Sequence, residues 1–297
     1  MAETVTVAVT EVKKVNKENT FLVTTKRLLK NKLAVAGLII IVLQILMAIF
    51  APVITFHDPV KQNLNASELP VFSEGHWLGT DNYGRDVWSR IVYGARISLV
   101  VGIVAVVLGL FGGIILGLLG GYYKKLDGII MRIVDLLFSF PGILLAMLII
   151  AILGTSLINV AIAISIWSIP TCARIVRGSV LSIKEKEYIM AMKSLGASDL
   201  RIMFKHILPN AFAPIIVFAT MRMATAILST ASLSFLGLGA QPPTPEWGAM
   251  ISQGQAFMWS SPHLTIIPGI AIMLTVFAFN VVGDGLRDAI DPNMDIQ

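Results

Sequence analysis

The residues that could perform chemistry in this sequence form no recognisable catalytic or nucleotide-binding set. The phosphate-binding pattern G-x-x-x-x-G-K-[ST] does not occur. Gly237-Leu238-Gly239 is too short a pattern to indicate a dinucleotide site, and no serine, histidine and aspartate can be grouped as a triad. The four histidines lack the spacing of metal ligands; they are His57, His76, His206 and His263. The sequence therefore predicts no catalysis and no cofactor or metal bound by this chain.

One ionisable side chain, Arg222, falls inside a long apolar run. If that run spans a membrane, a charge at this depth is costly and is usually functional or paired with another group. Two interpretations stay open: a functional role, or a structural one in which Arg222 snorkels or pairs with a neighbouring subunit. The apolar runs carry no pair of carboxylates, which argues against a proton-coupled carrier.

The composition places these residues in a membrane. Of the 297 residues, 56% are hydrophobic and only 14% are charged, whereas a soluble domain carries about 25% charged residues. The mean hydropathy is +0.79. These values exclude a soluble enzyme, a disordered chain and, with Cys172 as the single cysteine, a secreted disulfide scaffold. We attribute the net charge of +5 to basic residues on the cytoplasmic side, so no binding to nucleic acid is predicted.

Charge-free runs predict six membrane-spanning helices. About 20 apolar residues cross the hydrocarbon core, so the run over residues 136–173 is too long for one span and is divided at Gly154-Thr155-Ser156. The predicted spans are residues 33–54, 98–119, 131–153, 157–174, 211–236 and 264–283.

The basic residues predict the orientation of these spans. Most of the 23 lysine and arginine residues precede the first span or follow the second and the fourth, which predicts that both termini are cytoplasmic. The chain then divides into a cytoplasmic tail (1–32), the first span (33–54), an extracytoplasmic segment (55–97), a five-helix core (98–283) and a cytoplasmic tail (284–297). The core includes a cytoplasmic loop at 175–210 and an extracytoplasmic loop at 237–263.

The second span carries a glycine at every fourth position: Gly109, Gly113, Gly117 and Gly121. Small residues at this spacing line one helix face and allow a second helix to approach closely in lipid. We therefore expect the second span to be buried against its neighbours. The alternative is a lipid-facing helix with incidental glycines.

The loop at 175–210 contains apolar residues at helical spacing. Tyr188, Met192 and Leu195 follow the i, i+4, i+7 pattern of an amphipathic helix, and Gly196 follows them where a helix would end. A second short helix is predicted over 198–207, with Ser198 as its N-cap and an end before Leu208-Pro209. Two short helices joined at a glycine predict a compact cytoplasmic knob, although a helix lying on the membrane surface would show the same stripe.

The loop at 237–263 is rich in turn formers, since Gln241-Pro242-Pro243-Thr244-Pro245 precedes a tryptophan. Two interpretations of the extracytoplasmic aromatic residues stay open: an interfacial belt, or a docking surface for an external partner. The four tryptophans concerned are Trp77, Trp88, Trp247 and Trp259.

Four stretches, taken together and in order, resemble a known family. They contain the motifs LGTDNYGRD at 78–86, LGASD at 195–199, SLSFLGLG at 232–239 and GDGLRD at 283–288. The chain resembles the integral-membrane "C" subunit of bacterial ABC importers of the dipeptide, oligopeptide and nickel branch. The resemblance covers about residues 33–293 and implies an all-α integral membrane protein with the six-helix type I ABC importer permease fold.

The resemblance also implies a role for the cytoplasmic knob. In such importers a Glu-Ala-Ala-x-x-x-Gly element forms the coupling helix, which docks in a groove of the ATPase subunit. Here the matching residues are Met190-Ala191-Met192 and Gly196, so the Glu and the second Ala are replaced by Met. Flexible methionine side chains can still fill an apolar groove. The resemblance assigns docking to Glu187, Tyr188, Met190, Ala191, Met192, Leu195, Gly196, Ala197 and Asp199.

A division of labour follows from the resemblance. The chain would form half of the path through a bacterial inner membrane and pair with a homologous permease subunit. Two ATPase subunits would hold ATP and magnesium, and an extracytoplasmic binding protein would deliver di- or oligopeptides. Import of nickel or another small solute is the alternative within the family, and a stand-alone channel or membrane enzyme is the alternative outside it.

Overall fold

The computed structural model describes residues 20–290, and it is helical almost throughout. Residues 1–19 and 291–297 of the two predicted tails lie outside this range. The helices are α1 (Thr20–Lys30), α2 (Lys32–Ile49), α3 (Ala51–Ile54), α4 (Val87–Tyr122), α5 (Lys124–Phe138), α6 (Gly142–Leu153), α7 (Leu157–Lys184), α8 (Glu187–Ser194), α9 (Asp199–Ile202), α10 (Leu208–Phe235), α11 (Trp247–Gly254) and α12 (His263–Ile290). A π-helical turn, Met203–Ile207, joins α9 to α10 without a break. The predicted all-helical fold is confirmed.

Five helices are long and apolar enough to cross a membrane, and a bent pair supplies a sixth. The five are α2, α4, α7, the continuous helix Asp199–Phe235 and α12. The pair is α5 and α6, which meet at an angle of 91°. The sequence predicts a single span over 131–153, and the structure divides this segment into two helices at a sharp bend. Pro141 lacks an N–H and disfavours helical geometry in the residue before it, so the helix stops at Phe138 and restarts at Gly142.

Several spans extend beyond their predicted ends. The second span begins at Val87 instead of about residue 98, and the fourth continues to Lys184 instead of stopping at residue 174. The first part of the loop predicted at 175–210 is therefore the end of α7. Charge-free runs mark only the part of a helix that suits hydrocarbon, whereas the helix continues wherever its backbone is hydrogen-bonded.

The start of α4 is fixed by a buried polar network in the segment before it. Asp86 caps the helix by accepting a hydrogen bond from the Ser89 N–H at 2.7 Å. Arg85 and Arg90 are buried, and both reach the Asp81 carboxylate, at 2.7 and 3.5 Å. Arg85 also donates to Gln253 of α11 at 3.0 Å. The LGTDNYGRD motif thus joins the segment before α4 to the distant 237–263 loop.

The main core lies where α4, α7, α10 and α12 meet, and α11 closes one end of it. Trp247 at the start of α11 is fully buried, and its indole N–H donates to the Ile91 carbonyl at 3.0 Å. Both interpretations of Trp247, as a belt residue or a docking residue, are therefore wrong. Trp259 is 98% exposed and Trp77 is 57% exposed, so an outward role remains open for these two.

Candidate functional site in the loop between α7 and α10

The helix α8 ends at a glycine in the way its sequence predicts. Gly196 has a φ of +80°, a conformation that side-chain-bearing residues rarely adopt. The Gly196 N–H donates to the Lys193 carbonyl and the Ala197 N–H to the Met192 carbonyl, both at 3.0 Å. This is the Schellman pattern of hydrogen bonds that terminates helices. It turns the chain sharply and sets α9 close behind α8.

The buried face of α8 differs from the predicted stripe. Ile189 is fully buried against apolar residues of α7 and α10, and Met192 is partly buried beside it. Tyr188 and Leu195, which the pattern groups with Met192, are instead exposed; the exposed fraction of Leu195 is 86%. A helix of eight residues can bury only a narrow line of side chains, so the other apolar residues remain outside.

We call these exposed apolar side chains, taken together with those of the turns that follow, the apolar face. Tyr188, Met190 and Leu195 belong to it, and α9 with the π-helical turn adds Leu200 and Phe204. Ala191 and Glu187 are exposed nearby, and Ala197 is partly buried. Sequence reasoning missed Leu200 and Phe204, although their apolar character on a short polar element was an available signal. Exposed apolar side chains on short elements that also carry charged residues are typical of an interaction site.

The end of α4 holds this loop in place. The Tyr122 hydroxyl donates to the Asp199 carboxylate at 2.6 Å, and the Lys193 ammonium lies 5.0 Å from the centre of the Tyr122 ring. Lys184, the last residue of α7, donates to the Gly121 carbonyl at 2.8 Å. Asp199 therefore serves as an anchor for α9, while the apolar face is left free.

The second short helix does not end where the sequence predicts. The chain passes from α9 through the turn Met203–Ile207 into α10, with the Leu208 N–H donating to the Met203 carbonyl five residues earlier. In an ordinary α-helix, Pro209 would lack its hydrogen bond to residue 205 and its ring would clash there. The wider π-helical turn accommodates the proline, so the helix continues. Residues Asp199–Phe235 therefore form one continuous helical element through this turn.

The glycine repeat of α4 lies along α7. Gly109, Gly113, Gly117 and Gly121 face Ser168, Cys172, Val176 and Val180 in turn. A Cβ atom added at Gly117 or at Gly121 would lie only 2.6 Å from the Cβ of the facing valine. The two helices are therefore packed with their backbones closer than any larger residue would permit. Because α8 follows α7 directly, this packing also fixes where the apolar face projects.

Arg222 lies within α10 and packs on an aromatic ring. Its guanidinium carbon is 4.7 Å from the centre of the Trp167 ring on α7. Its Nε and Nη2 atoms are buried and have no hydrogen-bond partner among residues 20–290. The functional and the structural role of Arg222 both stay predictions.

Two models of known protein families match most of the chain. Residues 90–296 match the family described as binding-protein-dependent transport system inner membrane component. The chain belongs to this family. Residues 21–70 match a second model, the N-terminal transmembrane domain of oligopeptide transport permease C. As a family member the chain is a multi-pass membrane permease subunit of an ABC transporter, and its function is transport and not catalysis.

Individual relatives are similar over nearly the whole chain. A dipeptide transport system permease protein from Alkalihalophilus pseudofirmus is 53% identical over 270 residues, which cover 91% of this chain and 88% of the relative. A glutathione transport system permease protein from Pectobacterium atrosepticum is 49% identical over 274 residues, covering 91% and 90%. A solved structure of the MetNI methionine ABC transporter superposes with a TM-score of 0.57 at 22% identity, covering 69% of this chain and 97% of that chain. This structural similarity confirms the predicted permease fold.

Proposed function

We propose that this permease forms half of the path by which an ATP-driven importer moves di- and oligopeptides across the bacterial inner membrane. The proposal is supported by the two similar permeases, whose names specify dipeptide and glutathione, itself a tripeptide. The other half of the path is a homologous permease subunit. An extracytoplasmic binding protein delivers the peptide.

The apolar face around Gly196 is the observation that carries the ATPase partnership. Leu195, Met190 and Leu200 are exposed on short helices that are anchored from behind by Asp199 and Ile189. A rigidly held apolar surface of this kind fits a groove in a partner protein. We assign the partner as an ATPase subunit, one for each permease, with ATP and magnesium held there. The loop and both termini are then cytoplasmic.

Family membership implies alternating access, and the continuity of the helix Asp199–Phe235 supports it. Closure of the two ATPase subunits around ATP draws the two apolar faces together. Because α9, the π-helical turn and α10 are one continuous element, the displacement reaches the spans without an intervening flexible linker. Hydrolysis and release of the ATPase dimer return the path to its inward-open form.

Competition for uptake tests the peptide assignment. The complete transporter, with its binding protein, is reconstituted in vesicles, and ATP-dependent accumulation of a labelled dipeptide is measured. We expect unlabelled di- and tripeptides in excess to abolish accumulation, since they share the binding site, whereas nickel chloride leaves it unchanged. Inhibition by nickel with no effect of peptides would instead support the small-solute alternative, and accumulation without ATP would contradict an ATP-driven importer.

A further inference from the structure

Two histidines and a carboxylate that are distant in sequence meet in the segment between α3 and α4. The ring centres of His57 and His76 are 4.5 Å apart, and His76 Nδ1 is 2.9 Å from Asp86 Oδ1. One donor atom from each of the three residues lies within 4.8 Å of the other two. The spacing of these residues along the chain gave no sign of this, because the loop brings them together only when it folds.

The three side chains differ in burial and in freedom to move. Asp86 is buried, and its Oδ2 is already engaged by the N–H and the hydroxyl of Ser89, both at 2.7 Å. Its Oδ1 faces His76, which is partly buried. His57 is exposed at the edge of the group. The set therefore has two positioned donors and a third that can rotate towards them.

The distances suit a metal ion. Nitrogen and oxygen ligands bind zinc at about 2.0–2.2 Å, which places neighbouring ligand atoms roughly 3 Å apart. The His76 and Asp86 atoms already have this separation, since a hydrogen bond and two adjacent ligands of one ion span similar distances. Rotation of the exposed His57 ring closes the remaining gap.

We propose that His57, His76 and Asp86 bind one divalent transition-metal cation of the zinc class, held as a resident ion. Two imidazoles with one carboxylate favour zinc, cobalt or nickel over the calcium and magnesium that prefer all-oxygen sites. Water completes the coordination on the open side. The ion joins the chain just beyond α3 to the N-cap residue of α4, so it ties the outer end of the first span to the core.

Two further charged residues line the same pocket. Asp58 Oδ1 accepts hydrogen bonds from the N–H groups of Val60 and Lys61, at 2.7 and 3.2 Å, and Asp58 is not one of the three residues whose donor atoms lie close together. The Lys61 side chain also lines the pocket, and its positive charge opposes a bound cation. We therefore expect Lys61→Gln to tighten binding of the cation.

Calorimetric titration of the full-length chain with zinc chloride tests the proposal, using protein without a histidine tag. We expect one zinc ion per chain, and a loss of affinity of about tenfold or more in His57→Gln and in His76→Gln, since each removes a ligand. His206→Gln serves as the control because it removes a histidine from the opposite loop. His57 is exposed, so its replacement leaves the fold intact. Cobalt should give a visible absorption band that His57→Gln abolishes.

The outcomes separate a resident ion from an adventitious or transported one. Zinc binding that persists unchanged in both His57→Gln and His76→Gln, or no stoichiometric binding, overturns the site. Accumulation of zinc inside vesicles on addition of ATP overturns the resident ion and makes the cation cargo. Unchanged peptide uptake in His57→Gln, together with lost zinc binding, is compatible with the site, so the peptide function is tested separately.

Discussion

The exposed position of Leu195 is not explained by the packing of this chain alone. It is 86% exposed, lies at the C-terminal end of a helix whose inward residue is Ile189, and makes no contribution to the apolar cluster behind it. An exposed leucine on an otherwise soluble surface gains stability only from a partner that covers it. We therefore expect Leu195 to act in assembly and not in folding.

Leu195→Asp should leave the free chain stable and weaken its assembly. Truncating or charging a central apolar contact typically costs 1–3 kcal/mol of binding free energy, so affinity for the ATPase should fall by roughly tenfold to a hundredfold. Phe72→Asp is the matched control, because Phe72 has the same 86% exposure but lies in the segment between α3 and α4. Binding is measured by titrating the reconstituted permease with ATPase; equal affinity of the two variants would contradict the docking surface.

Glu246 is an acidic residue in an unfavourable position. It is fully buried and caps α11 by accepting the Ala249 N–H at 2.9 Å. Burial raises the pKa of this carboxyl group, and hydrogen bonds from the backbone oppose the rise only partly. The folded state therefore holds the proton more tightly than the unfolded state does. Its contribution to stability is greatest below the ordinary pKa and is lost as the pH rises towards the raised value.

Glu246→Gln should remove this dependence while it keeps a cap oxygen for Ala249. We expect the unfolding temperature of the variant to exceed that of the parent increasingly as the pH rises above the ordinary pKa of glutamate, by about 2–4 °C for each kcal/mol gained. Thermal unfolding in detergent from pH 4 to 8 measures the effect. The exposed Glu74→Gln should follow the parent throughout, and parallel curves for Glu246→Gln and the parent would sink the argument.

Among the elements, the contact between α4 and α7 is the one that the fewest residues, four glycines, were enough to predict. The glycine at every fourth position was sufficient to predict a close helix contact, because only helix geometry is needed to place these residues on one face. The helix that packs on these glycines could not be predicted, since the apolar face of any other span would fit the shallow groove that they form on α4. The structure supplies the answer in the facing residues Ser168, Cys172, Val176 and Val180.

Two alanine substitutions of opposite sign test this packing. Gly128→Ala, where a Cβ meets nothing within 4 Å, should stabilise α5 by about 1 kcal/mol through helix propensity. Gly117→Ala should destabilise by about 1–3 kcal/mol, because its Cβ would lie 2.6 Å from Val176 and 2.7 Å from the Ala173 carbonyl. Thermal unfolding of both variants gives the comparison. A stabilising effect of Gly117→Ala would show that the helices are not in close contact.

The sequence predicted which segments are helical more securely than where those helices end. Charge-free runs located every span but not the bend within the third, and Gly196 located the end of α8 through its preference for positive φ. The runs failed at Val87 because Arg90, a charged residue, is buried by partners from distant loops. The helix end predicted before Leu208-Pro209 was also wrong, because a wider turn accommodates the proline. Both errors concern tertiary or unusual backbone geometry, which neighbouring residues in sequence do not encode.

The sequence predicted which loop holds the candidate site but not which side chains of α8 face inward. The loop containing Tyr188 and Leu195 was identified by its apolar spacing, and its partner was assigned by resemblance. Ile189 is the buried residue of α8 because its side chain faces the apolar residues of α7 and α10. The sequence placed His57 and His76 on the same external side but predicted no metal site, since only the folded loop brings them together with Asp86.

For the whole molecule, the distribution of basic residues makes a prediction about sidedness. In a chain with Cys172→Ala, Ser73→Cys should react with a membrane-impermeant thiol reagent added to intact cells, because it lies between α3 and α4. Ser182→Cys, at the exposed end of α7, should react only after the cells are opened. Labelling is read by gel shift, with about a tenfold contrast expected between the two positions. The reverse pattern would invert the orientation and would place the apolar face where no ATPase can reach it.

The uninterrupted helix from Asp199 to Phe235 has a mechanical consequence. Its 37 residues extend for roughly 55 Å at 1.5 Å per residue. Treated as a lever, such a rod swings its far tip by about 5 Å when it tilts by about 5°. That excursion is comparable to the width of an extended peptide backbone. A small tilt of the helix at the ATPase side would therefore displace its opposite end far enough to open a passage for an extended peptide.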